Sequence, residues 1–173
     1  MNFREFRHTI SPWRLKTLFW TLVSRYKVKR AGKGLVVKNF CRFTKNTIIG
    51  DNCYFTGMNI YGEGVVRIGD NLHSGRMIRL HTAYHNYDAG EALPYDRTWI
   101  VRNITIGDNV WLGEQVTILA GVTIGEGAVI QAASCVTSDI PPMAIAGGHP
   151  AKVFKYRDIE HYNKLKAEGK FYK

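Results

Sequence analysis

From Ile106 onward the chain sets a large aliphatic residue at every sixth position: Ile106, Leu112, Ile118, Ile124, Ile130 and Val136. Four places after each stands a second inward candidate, at Val110, Val116, Val122, Ala128, Ser134 and Ile140, while most positions between are small or polar. An amphipathic helix would repeat its apolar face every 3.6 residues and a half-buried strand every 2. A period of six fits neither, and fixed-period self-similarity is the mark of a repeat architecture. It predicts very short strands, each pointing one aliphatic into a narrow core, with corners of Gly, Asn and Asp that tolerate unusual backbone angles.

The pattern reaches back to Val37 through Phe43, Ile49, Phe55 and Tyr61, then resumes one residue late at Ile68, Ser74 and Leu80. Ile49-Gly50-Asp51-Asn52, Ile68-Gly69-Asp70-Asn71 and Ile106-Gly107-Asp108-Asn109 read as copies of one turn. The step from Ile68 to Ile106 exceeds a whole number of hexads by two residues, which predicts an irregular insertion at about 81–103. A long insertion in a compact repeat is more often functional than accidental. After Ile140, Pro141-Pro142 ends the regular repeats. Ala144 to Gly148 closes a last short coil, His149 to Val153 leaves it, and Arg157 to about Ala167 predicts a short basic helix stopped by Gly169.

Ahead of the repeats, Ser11-Pro12 has the form of an N-cap followed by proline at the first helical position. Leu15, Leu18, Phe19, Leu22, Val23 and Tyr26 then fall on one helical face, with Arg14, Lys16, Arg25, Lys27 and Lys29 elsewhere. Two readings follow: a helix that caps the open end of the solenoid with its apolar face, or a basic amphipathic helix at residues 12–30 resting on a membrane. The organisation expected is a helical segment over 1–36, a solenoid over 37–153 and a helical tail over 154–173.

From about Val37 to Arg157 the chain resembles the hexapeptide-repeat acyltransferases, specifically the group of maltose, galactoside and capsule or lipopolysaccharide O-acetyltransferases. The resemblance implies an all-β solenoid, a left-handed parallel β-helix with three hexads per coil, carrying an inserted loop and flanking N- and C-terminal helices. It also implies a homotrimer with active sites between subunits, acetyl-CoA as acyl donor and a sugar or glycan acceptor. In such relatives the catalytic base follows the last hexad before the loop by five residues, which here is His85. The unperturbed imidazole pKa of about 6.5 suits a general base near neutral pH. His81 is the rival base or a loop-ordering residue, and Asn86, Tyr87 and Asp88 would orient the imidazole or the acceptor. Tyr95 and Asp96 would wall the acceptor pocket, and Glu63 falls roughly where relatives carry an acidic acceptor-binding residue.

By the same resemblance, the backbone N–H of Glu114, after Trp111-Leu112-Gly113, would stabilise the oxyanion, so the side chain there need not matter. Trp111 and Gly113 would border the coenzyme arm, with Ala132, Ala133, Thr137 and Ser138 further along the groove. Lys152 and Lys155, with Arg157, would meet the coenzyme phosphates. The chain departs from relatives at Gln131-Ala132-Ala133-Ser134, where Gly-Ala-Gly-Ser is common, and at Ser138, Ala120 and His149. Ser138 replaces a lysine and removes one phosphate contact.

Composition adds the partners. The 24 Lys and Arg against 14 Asp and Glu give a formal charge of +10, which favours anionic partners; no nucleic-acid-binding motif accompanies it. The apolar run Leu18 to Val23 is too short to span a bilayer or to form a normal signal-peptide core, so a soluble or at most peripheral protein is expected, and with the cysteine usage the expected setting is the cytoplasm, or the inner membrane face. Three cysteines without CxxC spacing give neither a disulfide framework nor a zinc knuckle. Cys41 and Cys53 fall at inward positions, and Cys135 beside one is read as structural or groove-lining. Other activities use the same residues: N-acylation of an amino sugar, a metal-dependent carbonic anhydrase with His73, His81 and His85 as ligands, or a non-enzymatic scaffold.

Overall fold

In the computed structural model of the chain, residues 11–172 are described. The hexads form a three-faced parallel solenoid. The first face is five-stranded (Arg30–Ala31, Thr47–Ile49, Val66–Ile68, Ile104–Ile106, Thr123–Ile124). The second is seven-stranded (Val36–Val37, Tyr54–Phe55, His73–Ser74, Trp111–Leu112, Val129–Ile130, Ala144–Gly148, Ala151–Tyr156), and the third four-stranded (Met58–Tyr61, Ile78–His81, Thr117–Ile118, Cys135–Val136).

Every face stacks its inward residues in register. The first pairs Ile49 with Ile68, Ile106 and Ile124, and the second pairs Val37 with Phe55, Ser74, Leu112, Ile130 and Ala146. The third pairs Ile60 with Leu80, Ile118 and Val136. All are buried, so the sixfold pattern is the core, except that Ile60 and not the expected Tyr61 takes the inward position paired with Leu80. Cys41 and Cys53 are buried in it, and burial pushes both thiols up to about 12.

The repeated Ile-Gly-Asp-Asn turn has a separate physical reason at each position. A Cβ on Gly50 would lie 2.2 Å from the Asp70 carboxylate of the next coil. The Asp side chains accept turn N–H groups one coil down: Lys33 N to Asp51, Asp51 N to Asp70 and Asp70 N to Asp108, at 2.7–2.8 Å. Asn52, Asn71 and Asn109 adopt φ of 55–57°, which Asn tolerates better than most residues. Their amides form a second ladder, Asn52 to Asn71 to Asn109, which ends on the Tyr162 hydroxyl.

Helix α1 (Pro12–Lys27) starts where the Ser11-Pro12 signal places it, but Ser11 caps through its carbonyl, which accepts from Arg14 N and Leu15 N, and not through its side chain. It closes the first coil from the face opposite to the one expected. Thr17, Trp20, Thr21, Ser24 and Val28 turn toward the solenoid; Thr21 Oγ1 accepts the edge amide of Val37, and Trp20 packs edge-on against Phe40. The stripe read as the packing face is outside: Leu15, Leu18, Phe19 and Leu22 are each more than half exposed, and Tyr26 is 81% exposed. The small face wins because the edge offers N–H groups that a threonine can satisfy and a leucine cannot.

Three boundaries move. The solenoid starts at Arg30, paired with Ile48, ahead of the 36/37 boundary. At the other end, Ala151–Tyr156 folds back antiparallel on Ala144–Gly148 and extends the second face past Val153. Helix α2 (Ile159–Ala167) begins after Asp158, whose carboxylate caps His161 N. Its end is Glu168, followed by Gly169 at φ 62°.

Replacing Ile118, fully buried at mid-solenoid, by Ala should cost about 2–5 kcal/mol of unfolding free energy, measured by denaturant titration. A loss below about 0.5 kcal/mol, the scale of an ordinary surface change, would contradict a close-packed coil interior.

Candidate active site

The insertion is rooted in a short hairpin, and residues 86–98 beyond it form the irregular loop expected. Ala83–His85 pairs antiparallel with Trp99–Val101, placing His85 opposite Trp99. The hairpin springs from the edge between the third and first faces, where buried Thr82 donates to Tyr61 O and accepts from Gly64 N. Gly62 and Gly64 lack the Cβ that would strike Thr82, so the turn carrying Glu63 lies directly against the hairpin root. Asn46 donates to the Glu63 carbonyl.

His85 lies between two rings, stacked on Tyr95 at 3.8 Å and 12° and tilted against Trp99 at 3.8 Å. Its Nδ1 is buried without a hydrogen-bond partner among the described residues. The other ring nitrogen, Nε2, is not among the buried unpartnered atoms. His81 stacks on Tyr61 at 5.0 Å; burial, then the Arg79 charge, lowers its pKa. Tyr87 tilts against Tyr84, and Asp88 is exposed. Two expected pocket residues serve the loop itself. Asn86 Oδ1 accepts from Ala89 N, and Asp96 accepts from Glu91 N and from the N–H and hydroxyl of Thr98. The Thr98 hydroxyl, then these amides, hold the Asp96 carboxyl below the usual carboxylate range.

A second group forms on the outer side of the second face. Cross-strand register places Tyr54, His73, Trp111, Val129, Ile145 and Lys155 in one row. Lys152, opposite Gly147, belongs to the next outward row. Three apart in sequence, these lysines would point to opposite sides of a regular strand. The irregularity between Ile145 and Ala146, which are opposite Lys155 and Val153, leaves Phe154 unpaired and brings both lysines to one side. Trp111 and the lysines therefore share a surface, about 14 Å apart over three strand spacings for Trp111 and Lys155.

Glu114 turns the corner beside this surface. In the Asp ladder each turn N–H donates to a carboxylate one coil up, but the residue above Glu114 is Ala132, which has no side-chain acceptor. The Glu114 N–H has no partner among the described residues. Gly113 permits the approach, since a Cβ there would lie 2.5 Å from Ala132 N. Ala133, at φ 58°, donates to the Glu114 carbonyl. Thr137 and Ser138 follow Val136 on the third face, on the edge that bears the hairpin and not with Trp111. One chain thus presents the histidine edge and the face of Trp111 and the lysines as separate surfaces.

Sequence reasoning missed two features. Trp99 was hidden because the pairing partner of His85 depends on a loop of unreadable geometry. The other is a cleft of about 560 Å³ between α2 and the second face, lined by His73, Trp111, Tyr162, Lys166 and Tyr172 among others. His73 stacks on Tyr54 and meets Tyr172 edge-on; burial, partly offset by a Tyr172 backbone contact, lowers its pKa. Arg157, expected as a phosphate cation, donates to Gly127 O and covers the Tyr162 ring. Buried Cys135 is paired opposite Thr117 on the third face. His73, His81 and His85 stand on three different strands, and no three metal-ligating side chains converge among the described residues.

Residues 103–138 match the family model for bacterial transferase hexapeptide, six repeats. Among solved structures, a hexapeptide-repeat acetyltransferase from Vibrio cholerae O1 biovar eltor, complexed with acetyl-CoA, is 31% identical over 78% of this chain and 74% of that one, with a TM-score of 0.70. A galactoside acetyltransferase in complex with coenzyme A is 32% identical over 80% of this chain and 70% of its own, with a TM-score of 0.70. A maltose O-acetyltransferase from Clostridium difficile 630 is 32% identical over 76% of this chain and 68% of that chain, with a TM-score of 0.56. No curated protein matches the chain. The chain belongs to the hexapeptide-repeat acetyltransferases, and its solenoid is the left-handed parallel β-helix of that family.

The contact that docks α2 titrates. Lys166, with the Tyr162 hydroxyl behind it, holds the Glu126 carboxyl below its ordinary value, while Glu126 raises Lys166. A depressed carboxylate stabilises the docked state above its unfolded pKa and loses that contribution as pH falls through the folded value; a raised lysine stabilises below its unfolded pKa and loses it as pH rises through the folded one. Amide resonances of residues 159–167 should shift below about pH 4.5 and above about pH 10.5, and Glu126→Gln should remove the acid limb. An unaltered acid limb in that variant would contradict the assignment.

Proposed function

We propose that the protein transfers an acetyl group from acetyl-CoA to a hydroxyl of a carbohydrate acceptor, at sites composed between protomers of a homotrimer. The observation that carries this reading is the separation within one chain of a ring-sandwiched histidine on an edge and a face bearing Trp111, two lysines and an unpartnered N–H. Each is half of a site. The coenzyme complexes of the two related acetyltransferases support the donor.

In this mechanism His85 Nε2 takes the proton of the acceptor hydroxyl as its oxygen attacks the thioester carbonyl. The carbon–sulfur bond breaks from a tetrahedral intermediate, whose oxyanion is met by the Glu114 N–H. The coenzyme thiolate leaves and takes the proton from His85, so base and acid are one residue and no covalent enzyme intermediate forms. Trp111 borders the acyl arm, and Lys152 and Lys155 pair with the coenzyme phosphates. His81, Tyr87, Tyr95 and Glu63 line the acceptor side.

Free-thiol release from acetyl-CoA, run against sugars, amino sugars, sugar nucleotides and lipid-linked sugars, tests the function. A hydroxyl acceptor should turn over, and His85→Ala should lower kcat/KM roughly a hundred- to ten-thousand-fold with the solenoid's melting unchanged. Turnover confined to amines would overturn O-transfer, and full activity in the variant would overturn the base. Reversing both lysines, K152E with K155E, should raise KM for acetyl-CoA about tenfold or more and leave kcat nearly unchanged; an equal KM would remove the lysines from the coenzyme site.

A further inference from the structure

The outward face of α1 has no packing role among the described residues, and the charge around it is one-sided. Between residues 12 and 50 stand ten cations, Arg14, Lys16, Arg25, Lys27, Lys29, Arg30, Lys33, Lys38, Arg42 and Lys45, and no Asp or Glu. Since the chain holds 24 basic and 14 acidic residues, everything outside that segment balances at 14 of each. The whole excess of +10 therefore sits on α1 and the first coil.

We infer that this face docks the protein on an anionic bilayer surface, with α1 lying in the plane of the headgroups. Leu15, Leu18, Phe19 and Leu22 form the stripe that would enter the acyl boundary, and each is more than half exposed. At 100° per residue, Arg14 and Arg25 flank the stripe on one side, and Lys16 and Lys27 on the other. Lys16 donates to Asn39 and Arg25 to the Ala31 and Gly32 carbonyls, which leaves Arg14 and Lys27 as the flanking cations that reach anionic headgroups beside the apolar face, the distribution of an interfacial helix. Trp13 and Tyr26 are exposed near the two ends of the helix, with Arg14 and Lys38 over the Trp13 ring and Lys45 over Tyr26. Such amphipathic rings settle at the headgroup level. Among the described residues no helix is long and apolar enough to cross a membrane, so the contact is peripheral.

A second copy fits this face less well. Self-association there would bring two or more surfaces, each carrying the full excess charge, into contact, and like charge across an interface costs several kcal/mol. Nucleic acid would match the cations but gives a leucine stripe nothing to bury.

Flotation of the full-length protein with vesicles of phosphatidylcholine alone, or with about one-third phosphatidylglycerol, tests the inference. Binding should require the anionic lipid and weaken as salt rises. Leu18→Ser with Leu22→Ser should reduce the bound fraction roughly tenfold, while melting temperature and sedimentation stay those of the wild type because both side chains are outside the core. Absence of binding to the anionic vesicles, or unchanged binding by the double variant, would overturn the proposal. So would a change in that variant's oligomeric state, which would show the stripe to be a contact between copies. The readout is binding alone, so it stands or falls independently of the acetyltransferase reading.

Discussion

The parallel register of one coil on the next is the constraint from which the rest of this structure follows. Each strand of the faces supplies only a few ladder bonds and one or two inward side chains, too little to be stable by itself. Stability comes from columns: Ile49, Ile68, Ile106 and Ile124 on the first face, and their counterparts on the other two. Between the columns, the Asp and Asn ladders lock the corner turns together through side chains that each bridge two coils. A slip of one residue would turn the inward row outward and detach both ladders, so register is fixed by burial and by polar pairing at once.

Function is written on the outside of the same register. The columns that bury Leu112, Ile130 and Ala146 necessarily align Trp111, Val129 and Ile145 in the outward row beside them. One unpaired residue, Phe154, then brings two lysines onto that surface. The Glu114 N–H is left unpartnered among the described residues, since a ladder position filled by Asp elsewhere is Ala132 here. His85 is placed by a hairpin rooted on Thr82, whose burial ties the insertion to the coil below. A rigid scaffold thus positions groups from edge, corner and face, as precise acyl transfer requires.

The core was legible because a period of six has one geometric meaning, and every hexad aliphatic named from Ile106 onward is buried. The family was legible for the same reason. What escaped had non-local causes. The outward apolar stripe of α1 looks from sequence like a packing face; only the solenoid's open edge, with the Val37 amide to satisfy, shows why Thr21 faces inward instead. The residues read as acceptor contacts in the insertion divide, Tyr95 stacking on His85 while Asn86 and Asp96 hold the loop, because a carboxylate or amide near free N–H groups pairs locally before it meets a substrate. Lys152 and Lys155 were named, but their common side depends on a bulge that no sequence pattern announces. The separation of the histidine edge from the face of Trp111 and the lysines is a property of the closed triangle and lies beyond any linear motif.

On the proposed function that separation makes a demand on assembly: the base and the coenzyme surface would come from different protomers. Complementation measures it directly. His85→Ala protein and K152E/K155E protein, each reduced about tenfold or more at limiting acetyl-CoA, would be co-refolded in equal amounts and assayed by thiol release. Sites shared between neighbours in a symmetric oligomer should recover about a quarter of wild-type activity, the fraction of interfaces at which an intact histidine meets intact lysines. Recovery no greater than the average of the two parents would contradict the account and place the whole site within one chain.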